Sequence, residues 1–341
     1  MGMDFISLMR KLAPDLAEEM TRRALILDRI GAAQPVGRRQ LASRLNLSER
    51  EVRNTAQRLR EMGYVEVSPS GITLTTEAVP LMEAVSAFSK ALSGLTEMEK
   101  QLSVLLKVET VVIVPGDADQ DTGVLTELGR IGAGKLRGML KNGDTLAVTG
   151  GRTLASIARG LQGQAPMNVM VVPARGGMGR EVAFQANTLA SEIATRLGGH
   201  YRLLHLPDSL DPTAKAEMLK QPEVSETMDL LQRADVILHG VSRADDRMAE
   251  RKLPRKVIQA LRDQGACGEC FGSFFNMQGE CLLVSSSVSV DLGKLSPSCR
   301  MIAAAAGASK AEAIISVLRH DRHRMLLSDE GAARRMIALL S

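Results

Sequence analysis

The sequence predicts a two-domain α/β protein, with a small winged helix-turn-helix domain at the N-terminus and a larger doubly wound domain after it. Residues 36–60 have the pattern of two short helices joined by a tight turn. From Val111 onward, short β-branched runs alternate with helical patterns, which is typical of a parallel sheet covered by helices. A chain of 341 residues is long enough for both cores. We predict the domains to be residues 1–92, including a linker helix, and residues 93–341.

The first predicted helix precedes the helix-turn-helix and is amphipathic. Apolar residues recur along it at steps of three and four, which places them on one face. These residues are Leu16, Met20, Ala24, Leu27 and Ile30. We expect this helix to support the helix-turn-helix.

The second helix of the helix-turn-helix has a well-marked start. Ser48 can cap its first turn and Glu51 can complete a capping box, so the helix should begin near Glu49. The helical spacing of its apolar residues predicts a buried stripe at Val52, Ala56 and Leu59. Another face, exposed to water, carries side chains that pair with guanine or adenine in the major groove, namely Arg50, Arg53, Asn54 and Gln57.

The flanking segments complete the predicted DNA-binding domain. A preceding helix can pack through Leu41, Ala42 and Leu45, with the bend at residues 46–47. Arg38 and Arg39 are then expected near the DNA phosphates. Two strand-like runs, 64–67 and 72–74, enclose a turn and predict the wing.

The distribution of charge favours DNA binding over the alternative, a charged surface hairpin of helices in an ordinary domain. Residues 36–60 contain seven arginines and two glutamates, a net charge of +5, whereas the whole chain carries +4. Aromatic residues are only 2% of the chain, and there is no tryptophan. Because single-stranded binding uses aromatic stacking, we expect the partner to be double-stranded DNA.

The linker region has a short heptad-like pattern. Apolar residues alternate steps of four and three at Leu81, Val85, Phe88, Leu92 and Leu95. This pattern fits a dimerisation seam and equally fits a helix packed on its own domain, since Gly94 interrupts it.

Five continuous apolar runs predict the buried parallel strands of a Rossmann-like sheet. They are residues 111–114, 146–148, 169–172, 236–238 and 301–304. Three of them lead into glycine-rich loops, at 149–153, 173–179 and 307–310. Such loops lie where open α/β sheets bind ligands.

These loops predict an anionic, phosphorylated ligand. Glycine backbones and helix N-termini can hold a phosphate, and Arg152, Arg175 and Lys310 add positive charge at the same edge. Gln185, Asn187 and Glu269 are candidates for contacts with sugar hydroxyls, although each alone is more typical of an ordinary surface or capping residue. The loop spacings match neither a Walker loop nor a dinucleotide fingerprint, so we expect no ATP, NAD or other cofactor.

The cysteine and hydropathy patterns predict a cytoplasmic protein without a metal site. Cys267 and Cys270 form a CxxC pair, but Cys281 and Cys299 are too far apart to complete a zinc site, so free thiols are favoured over zinc or a redox switch. No apolar run is long enough to span a membrane, and the first residues lack the pattern of a secretory signal.

The chain closely resembles the SorC family of bacterial transcriptional regulators, and within it the regulators of glycolytic genes. Matching motifs run nearly end to end, including PVGRRQLASRL (35–45), LSEREVR (47–53), PGDADQ (115–120), VTGGRT (148–153), VPARGGMG (172–179), QANT (185–188), ECFGSFFN (269–276), ASKAEAI (308–314) and SDEGAA (328–333). The resemblance implies an effector domain similar in fold to sugar-phosphate isomerases and deaminases.

The resemblance also implies a repressor of a glycolytic operon, with fructose 1,6-bisphosphate as inducer and an oligomer, a dimer or tetramer, on the operator. It places the effector pocket at Gly150, Gly151, Arg152, Thr153, Arg175, Gln185, Glu269 and Lys310, together with Arg251 and Lys252. Arg152 departs from the small hydroxyl residue usual in the glycolytic subgroup, which leaves another phosphorylated sugar open.

Two alternative functions make different predictions. An enzyme of the same fold would need an acid–base pair, but His200, His205 and His239 are isolated in sequence and His320 and His323 lie beyond the pocket loops, so we expect no catalytic residues. A DNA-binding protein whose large domain only oligomerises would show no thermal shift with phosphorylated sugars.

Overall fold

The computed structural model describes residues 11–45, 47–92, 94–161, 165–177, 181–207, 210–284 and 288–341. The chain divides into two compact units, residues 1–97 and 98–341. The functional boundary predicted between residues 92 and 93 stays a prediction.

The first unit is a winged helix-turn-helix, as predicted. Its helices are α1 (Pro14–Ala33), α2 (Arg38–Leu45) and α3 (Glu49–Glu61), and its wing is the antiparallel pair β1 (Val65–Ser68) and β2 (Gly71–Leu74). Helix α4 (Met82–Leu92) packs against α1, and α5 (Leu95–Leu106) follows. The core is built from α1, α2, α3 and the wing, with Ile26, Ile30, Leu41, Val52 and Ile72 at its centre.

Two details of this unit differ from the sequence predictions. Leu16 and Met20 are 70% and 45% exposed, because the apolar face of α1 is well covered only toward its C-terminal half. The heptad-like pattern over residues 81–95 is divided between two helices. Gly94 adopts φ 72° and separates α4 from α5, and Val85 packs against the core of its own unit.

The second unit is built on a seven-stranded parallel sheet in the order β3-β13-β12-β7-β4-β5-β6. In chain order its elements are β3 (Thr110–Val114), α6 (Gly123–Met139), β4 (Thr145–Val148), α7 (Arg152–Gly160), β5 (Met170–Pro173), α8 (Ala186–Leu197), β6 (His200–Tyr201), α9 (Pro212–Leu219), α10 (Pro222–Gln232), β7 (Val236–Gly240), β8 (Ser242–Arg243), α11 (Ala244–Glu250), α12 (Arg255–Asp263), β9 (Ala266–Cys270), β10 (Ser273–Asn276), β11 (Cys281–Val284), β12 (Arg300–Ala304), α13 (Ala311–His320), β13 (Met325–Asp329) and α14 (Glu330–Leu340). The α/β fold class is confirmed.

All five predicted strands are present, and the structure adds elements that the sequence did not reveal. Strand β13 was hidden because its short apolar run ends in two buried polar residues, Ser328 and Asp329. Strands β8 to β11 form a second, antiparallel sheet in the order β11-β10-β9-β8. This small sheet carries Glu269 and both residues of the CxxC pair on β9.

The parallel sheet places the predicted loops at one edge. Strands β7, β4 and β5 are neighbours, so the residues that follow each of them lie close together at the C-terminal ends of the strands. Gly240 N–H, at the end of β7, donates to Thr149 Oγ1 at 3.0 Å and connects this strand to the loop after β4. Among the described residues, no helix combines the length and the apolar character needed to cross a membrane.

Candidate anion pocket and nucleic-acid interface

A cavity of about 920 Å³ opens at this edge of the parallel sheet. Of the ten residues predicted to bind an effector, nine line it, namely Gly150, Gly151, Arg152, Thr153, Arg175, Gln185, Lys252, Glu269 and Lys310. The tenth, Arg251, contacts Glu269 instead. Asn187 is not among the residues that line the cavity. Its side-chain amide donates to the carbonyl oxygen of Leu204 and accepts the Leu204 N–H, both at 3.0 Å. Whether these residues bind an effector stays a prediction.

The first glycine-rich loop has little freedom to accept larger residues. A Cβ on Gly150 would lie 2.4 Å from the carbonyl oxygen of Phe184, and Gly151 adopts φ 136° just before helix α7 begins. The α7 N-terminus therefore points its free backbone amides toward this loop, next to the Arg152 side chain. Amides at a helix N-terminus favour an anion.

Glu269 is the centre of a buried cluster of arginines. Its Oε1 lies 3.2 Å from Arg175 Nη1 and 3.4 Å from Arg251 Nη2, and its Oε2 lies 3.4 Å from Arg247 Nε. The Gly272 N–H donates to Glu269 Oε1 at 2.9 Å. The Glu269 side chain is 2% exposed. Arg247 also pairs with Glu250, so the three arginines share two carboxylates and the cluster keeps an excess of positive charge.

Arg247 is a pocket residue that the sequence analysis missed. It lines the cavity on α11, and its Nε also donates to Ser242 Oγ at 2.9 Å. The available signal was spacing, since Arg247 lies four residues before Arg251 and therefore on the same face of a helix.

Lys310 is a half-buried cation at the same pocket. It ends the single 3₁₀ turn Ala308–Lys310 and lies at the start of α13. Burial lowers the pKa of the Lys310 ammonium, and the positive charge of Arg247 lowers it further. Two like charges therefore act on each other here, and both would be stabilised by an anion between them.

Arg152 lies in a more open part of the cavity. Its guanidinium is 3.4 Å from Glu181 Oε1 and 5.7 Å from the centroid of the Phe184 ring. Both charged side chains are mostly exposed, 70% and 64%, so their mutual attraction is weak. Arg152 can therefore exchange Glu181 for a ligand anion at little cost.

The helix-turn-helix has the exposed polar face that the sequence predicts. Helix α3 begins at Glu49 with a complete capping box between Ser48 and Glu51, and Val52, Thr55, Ala56 and Leu59 are buried. Arg50, Arg53, Asn54 and Gln57 are exposed, as are Arg38 and Arg39 at the start of α2. Arg39 and Glu49 form a surface ion pair of 3.3 Å between the two helices. DNA contacts by these residues stay a prediction.

Comparison with known proteins decides the family. The CggR N-terminal DNA-binding domain matches residues 20–88, and a sugar-binding domain family matches residues 90–338. A central glycolytic genes regulator from Priestia megaterium is 37% identical over 336 residues, covering 97% of this chain and 98% of the relative. The chain belongs to the family of central glycolytic genes regulators. A second member, from Bacillus subtilis, is 34% identical over 333 residues, with 97% and 98% coverage.

Solved structures agree with this assignment of the regulator. A SorC family transcriptional regulator from Enterococcus faecalis has a TM-score of 0.64 at 30% identity, covering 71% of this chain and 99% of that one. The full-length sorbitol operon regulator SorC from Klebsiella pneumoniae matches the whole of both chains with a TM-score of 0.67 at 21% identity, a likeness of fold. The protein is therefore a sugar-responsive, DNA-binding transcriptional regulator and not an enzyme.

One histidine of the regulator, His239, has contacts that the sequence analysis did not predict. The expectation that His239 is isolated is wrong, because its Nε2 lies 2.9 Å from His323 Nε2 and its Nδ1 lies 3.1 Å from Cys270 Sγ. Burial lowers the pKa of His239 to about 3, and the pKa of His323 is lowered as well, so both rings are neutral. Sequence separation hid this contact, since 84 residues lie between the two histidines.

Backbone carbonyl oxygens lie at both ends of this contact. The carbonyl oxygen of Asp321 lies 2.9 Å from His323 Nδ1, and that of Gly240 lies 3.2 Å from His239 Nδ1 and 3.6 Å from Cys270 Sγ. Because both rings are neutral, the 2.9 Å contact between the two Nε2 atoms holds one proton. The ring nitrogens of both histidines are thus committed to a buried chain of hydrogen bonds, which is a structural role.

The cysteines of the regulator are free thiols. Cys267 Sγ lies 3.7 Å from the carbonyl oxygens of Phe275 and Glu312, whereas Cys270 Sγ lies 3.1 Å from His239 Nδ1. Burial raises the pKa of the Cys270 thiol well above its ordinary value, and the charge of Glu269 adds to this effect. Across the described parts of the chain, His, Cys, Asp and Glu side chains form no group of three or more that could hold a metal ion.

Proposed function

We propose that this regulator represses a glycolytic operon and that fructose 1,6-bisphosphate relieves its binding to the operator. The observation that carries the proposal is the surplus of cations at one pocket. Arg175, Arg247 and Arg251 pair with two carboxylates, Glu269 and Glu250, and the half-buried Lys310 adds a further cation. A sugar with two phosphates supplies the missing negative charge, and its hydroxyls match Gln185 and Glu269.

In this proposal the two domains of the chain have different functions. Residues 1–92 bind double-stranded operator DNA, with Arg50, Arg53, Asn54 and Gln57 at base edges and Arg38 and Arg39 at phosphates. Residues 93–341 bind the effector and associate with other copies of the chain. The protein acts in the cytoplasm as a dimer or tetramer.

The effector must couple to DNA binding through the association of copies. A ligand shifts an equilibrium only if it binds the two states with different affinity. We infer that sugar-phosphate binding favours an arrangement of copies in which the recognition helices no longer occupy successive major grooves together. Cooperative operator binding then weakens while the DNA-binding face itself is unchanged.

A second candidate effector is another phosphorylated sugar. Arg152 favours this alternative, because its guanidinium lies in the open part of the pocket on a weak ion pair with Glu181. An additional arginine at this position can strengthen binding of a phosphate or change which sugar phosphate fits best.

A DNA mobility shift tests the proposal. The probe is the promoter of the neighbouring glyceraldehyde-3-phosphate dehydrogenase operon, titrated with fructose 1,6-bisphosphate and with fructose 6-phosphate as the single-phosphate control. We expect loss of cooperative binding with the bisphosphate alone. The Lys310→Ala variant should bind DNA normally and lose this response, whereas Arg53→Ala should lose specific DNA binding. Specific binding that ignores the bisphosphate would refute the effector and leave the regulator.

A further inference from the structure

The loop PGDADQ, residues 115–120, has no part in the pocket described above, yet it contacts the turn that carries Lys310. Asp119 Oδ2 accepts the Ser309 N–H at 2.7 Å, and Asp119 Oδ1 accepts the Ser309 hydroxyl at 3.1 Å. A Cβ on Gly307 would lie 2.4 Å from Asp119 Oδ1, so the carboxylate rests against the α-carbon of Gly307. Asp119 therefore contacts residues on both sides of Ala308.

Carboxylates accept all three backbone N–H groups that precede Lys310 in this turn. The Gly307 N–H donates to Asp329 Oδ2 at 2.9 Å, the Ala308 N–H to Asp117 Oδ1 at 3.2 Å, and the Ser309 N–H to Asp119 Oδ2 at 2.7 Å. Asp329 Oδ2 also accepts the Ala118 N–H at 2.7 Å, which connects the two loops. Two segments distant in sequence, the loop 115–120 and Asp329, thus hold the backbone just before Lys310.

The charges around Lys310 come from three elements. Burial and Arg247 on α11 lower the pKa of the Lys310 ammonium, whereas Asp119 in the loop after β3, Asp246 on α11 and Asp329 on β13 raise it. Loss of the charge on any one of these carboxylates would therefore lower the pKa of Lys310 further. Lys310 would then become neutral at a lower pH.

We propose that Asp119 is a positioning residue for effector binding, which holds the turn so that Lys310 serves the pocket and keeps Lys310 a cation by its own charge. This inference rests on the proposed function, because it assigns an effector phosphate to Lys310. It gives the PGDADQ motif a role that requires no contact with the ligand.

The Asp119→Asn variant separates charge from geometry. Its amide oxygen can accept the Ser309 N–H and its NH₂ can donate to the Ser309 hydroxyl, so the hydrogen bonds can persist while the charge is lost. The full-length protein is titrated with fructose 1,6-bisphosphate by calorimetry between pH 7.5 and 9.5, above the second phosphate pKa of about 6. Native affinity should fall as pH rises toward the lowered pKa of Lys310.

We expect the affinity of D119N to begin its fall at a lower pH than that of native protein, and to be about fivefold weaker than native at a pH within that fall. The matched control is Asp121→Asn, in the same part of the chain, whose carboxylate accepts the Gly123 N–H at 2.8 Å. It should follow the native curve. Lys310→Arg stays charged over this range, so it should remove both the pH dependence and the shift caused by D119N.

The outcomes distinguish this inference from the function on which it rests. If Lys310→Ala binds as tightly as native protein, the proposed pocket role of Lys310 fails. If Lys310→Ala binds weakly while D119N follows the native curve at every pH, the role of Asp119 alone is overturned. Folding of each variant is checked by thermal denaturation. Should D119N not fold, Ser309→Ala removes one Asp119 contact, and unchanged affinity in that variant would equally refute the inference.

Discussion

At the scale of single residues, Glu269 shows how much one buried carboxylate can organise. Arg175, Arg247 and Arg251 all contact it, and the Gly272 N–H adds a fourth contact. Removing one partner of a buried ion cluster is costly, because the remaining charges stay buried without compensation. The pocket therefore depends on Glu269 in the absence of effector.

We predict that Glu269→Gln lowers the free energy of unfolding by about 3–5 kcal/mol, measured by urea denaturation at pH 7.5. Fructose 1,6-bisphosphate should restore part of the loss, since phosphate can replace the missing charge. The control is Glu217→Gln, a 65% exposed partner of Lys220, whose effect should stay within about 0.5 kcal/mol. An E269Q protein as stable as native would show that the arginines need no buried counter-ion.

At the scale of elements, the position of α7 depends on one glycine in the neighbouring helix α6 and one in α7 itself. A Cβ on Gly129 would lie 2.3 Å from the carbonyl oxygen of Ser156, and a Cβ on Gly160 would lie 2.5 Å from the carbonyl oxygen of Gly129. The two backbones approach so closely only because both positions lack a side chain. Helix α7 begins with Arg152 and Thr153, so this packing also sets the edge of the pocket.

We predict that Gly129→Ala destabilises the protein by about 1–3 kcal/mol and weakens effector binding, because α7 must move away. Gly134→Ala and Gly138→Ala are matched controls on the same helix, with no atom within 4 Å of their new Cβ. Each control should stabilise by about 0.4–1 kcal/mol through the entropy of the unfolded chain. Urea denaturation and calorimetry measure both effects. Equal stability of all three variants would contradict the proposed helix contact.

At the scale of the whole molecule, charge is unevenly distributed. Residues 36–60 carry +5 from seven arginines and two glutamates, and the chain carries +4, so the remaining residues sum to −1. A basic segment on a nearly neutral molecule directs DNA to one face and makes affinity depend on salt through counterion release.

We predict that the combined Arg38→Ala and Arg39→Ala variant binds operator with a salt slope about 2 smaller than native, since each phosphate contact contributes about 0.9 to the slope of log K against log salt. Lys256→Ala removes an exposed cation on α12 and should leave the slope unchanged. Fluorescence anisotropy over a range of salt concentrations measures the slope. If Lys256→Ala reduced the salt slope as much as the double variant, the phosphate contacts could not be assigned to Arg38 and Arg39.

The sequence by itself determined the features that depend on neighbouring residues. The capping box at Ser48, the buried stripe of α3, the wing and five parallel strands follow from spacing within a few residues, because helix caps and side-chain periodicity are local. The glycine-rich loops were also predictable, since parallel strands bring their C-terminal ends to one edge. The exposure of Leu16 and Met20 was not predictable, because it depends on which residues cover that face of α1.

Only the tertiary structure decided which distant side chains meet. Arg175 and Glu269 are 94 residues apart, and Asp119 and Ser309 are 190 apart, yet both pairs are within hydrogen-bond distance. No periodicity links such residues, since their contact depends on strand order and on a small antiparallel sheet that the apolar pattern did not reveal. The sequence therefore predicted the kind of ligand, whereas the fold determined which charges line the pocket and which carboxylates hold them in place.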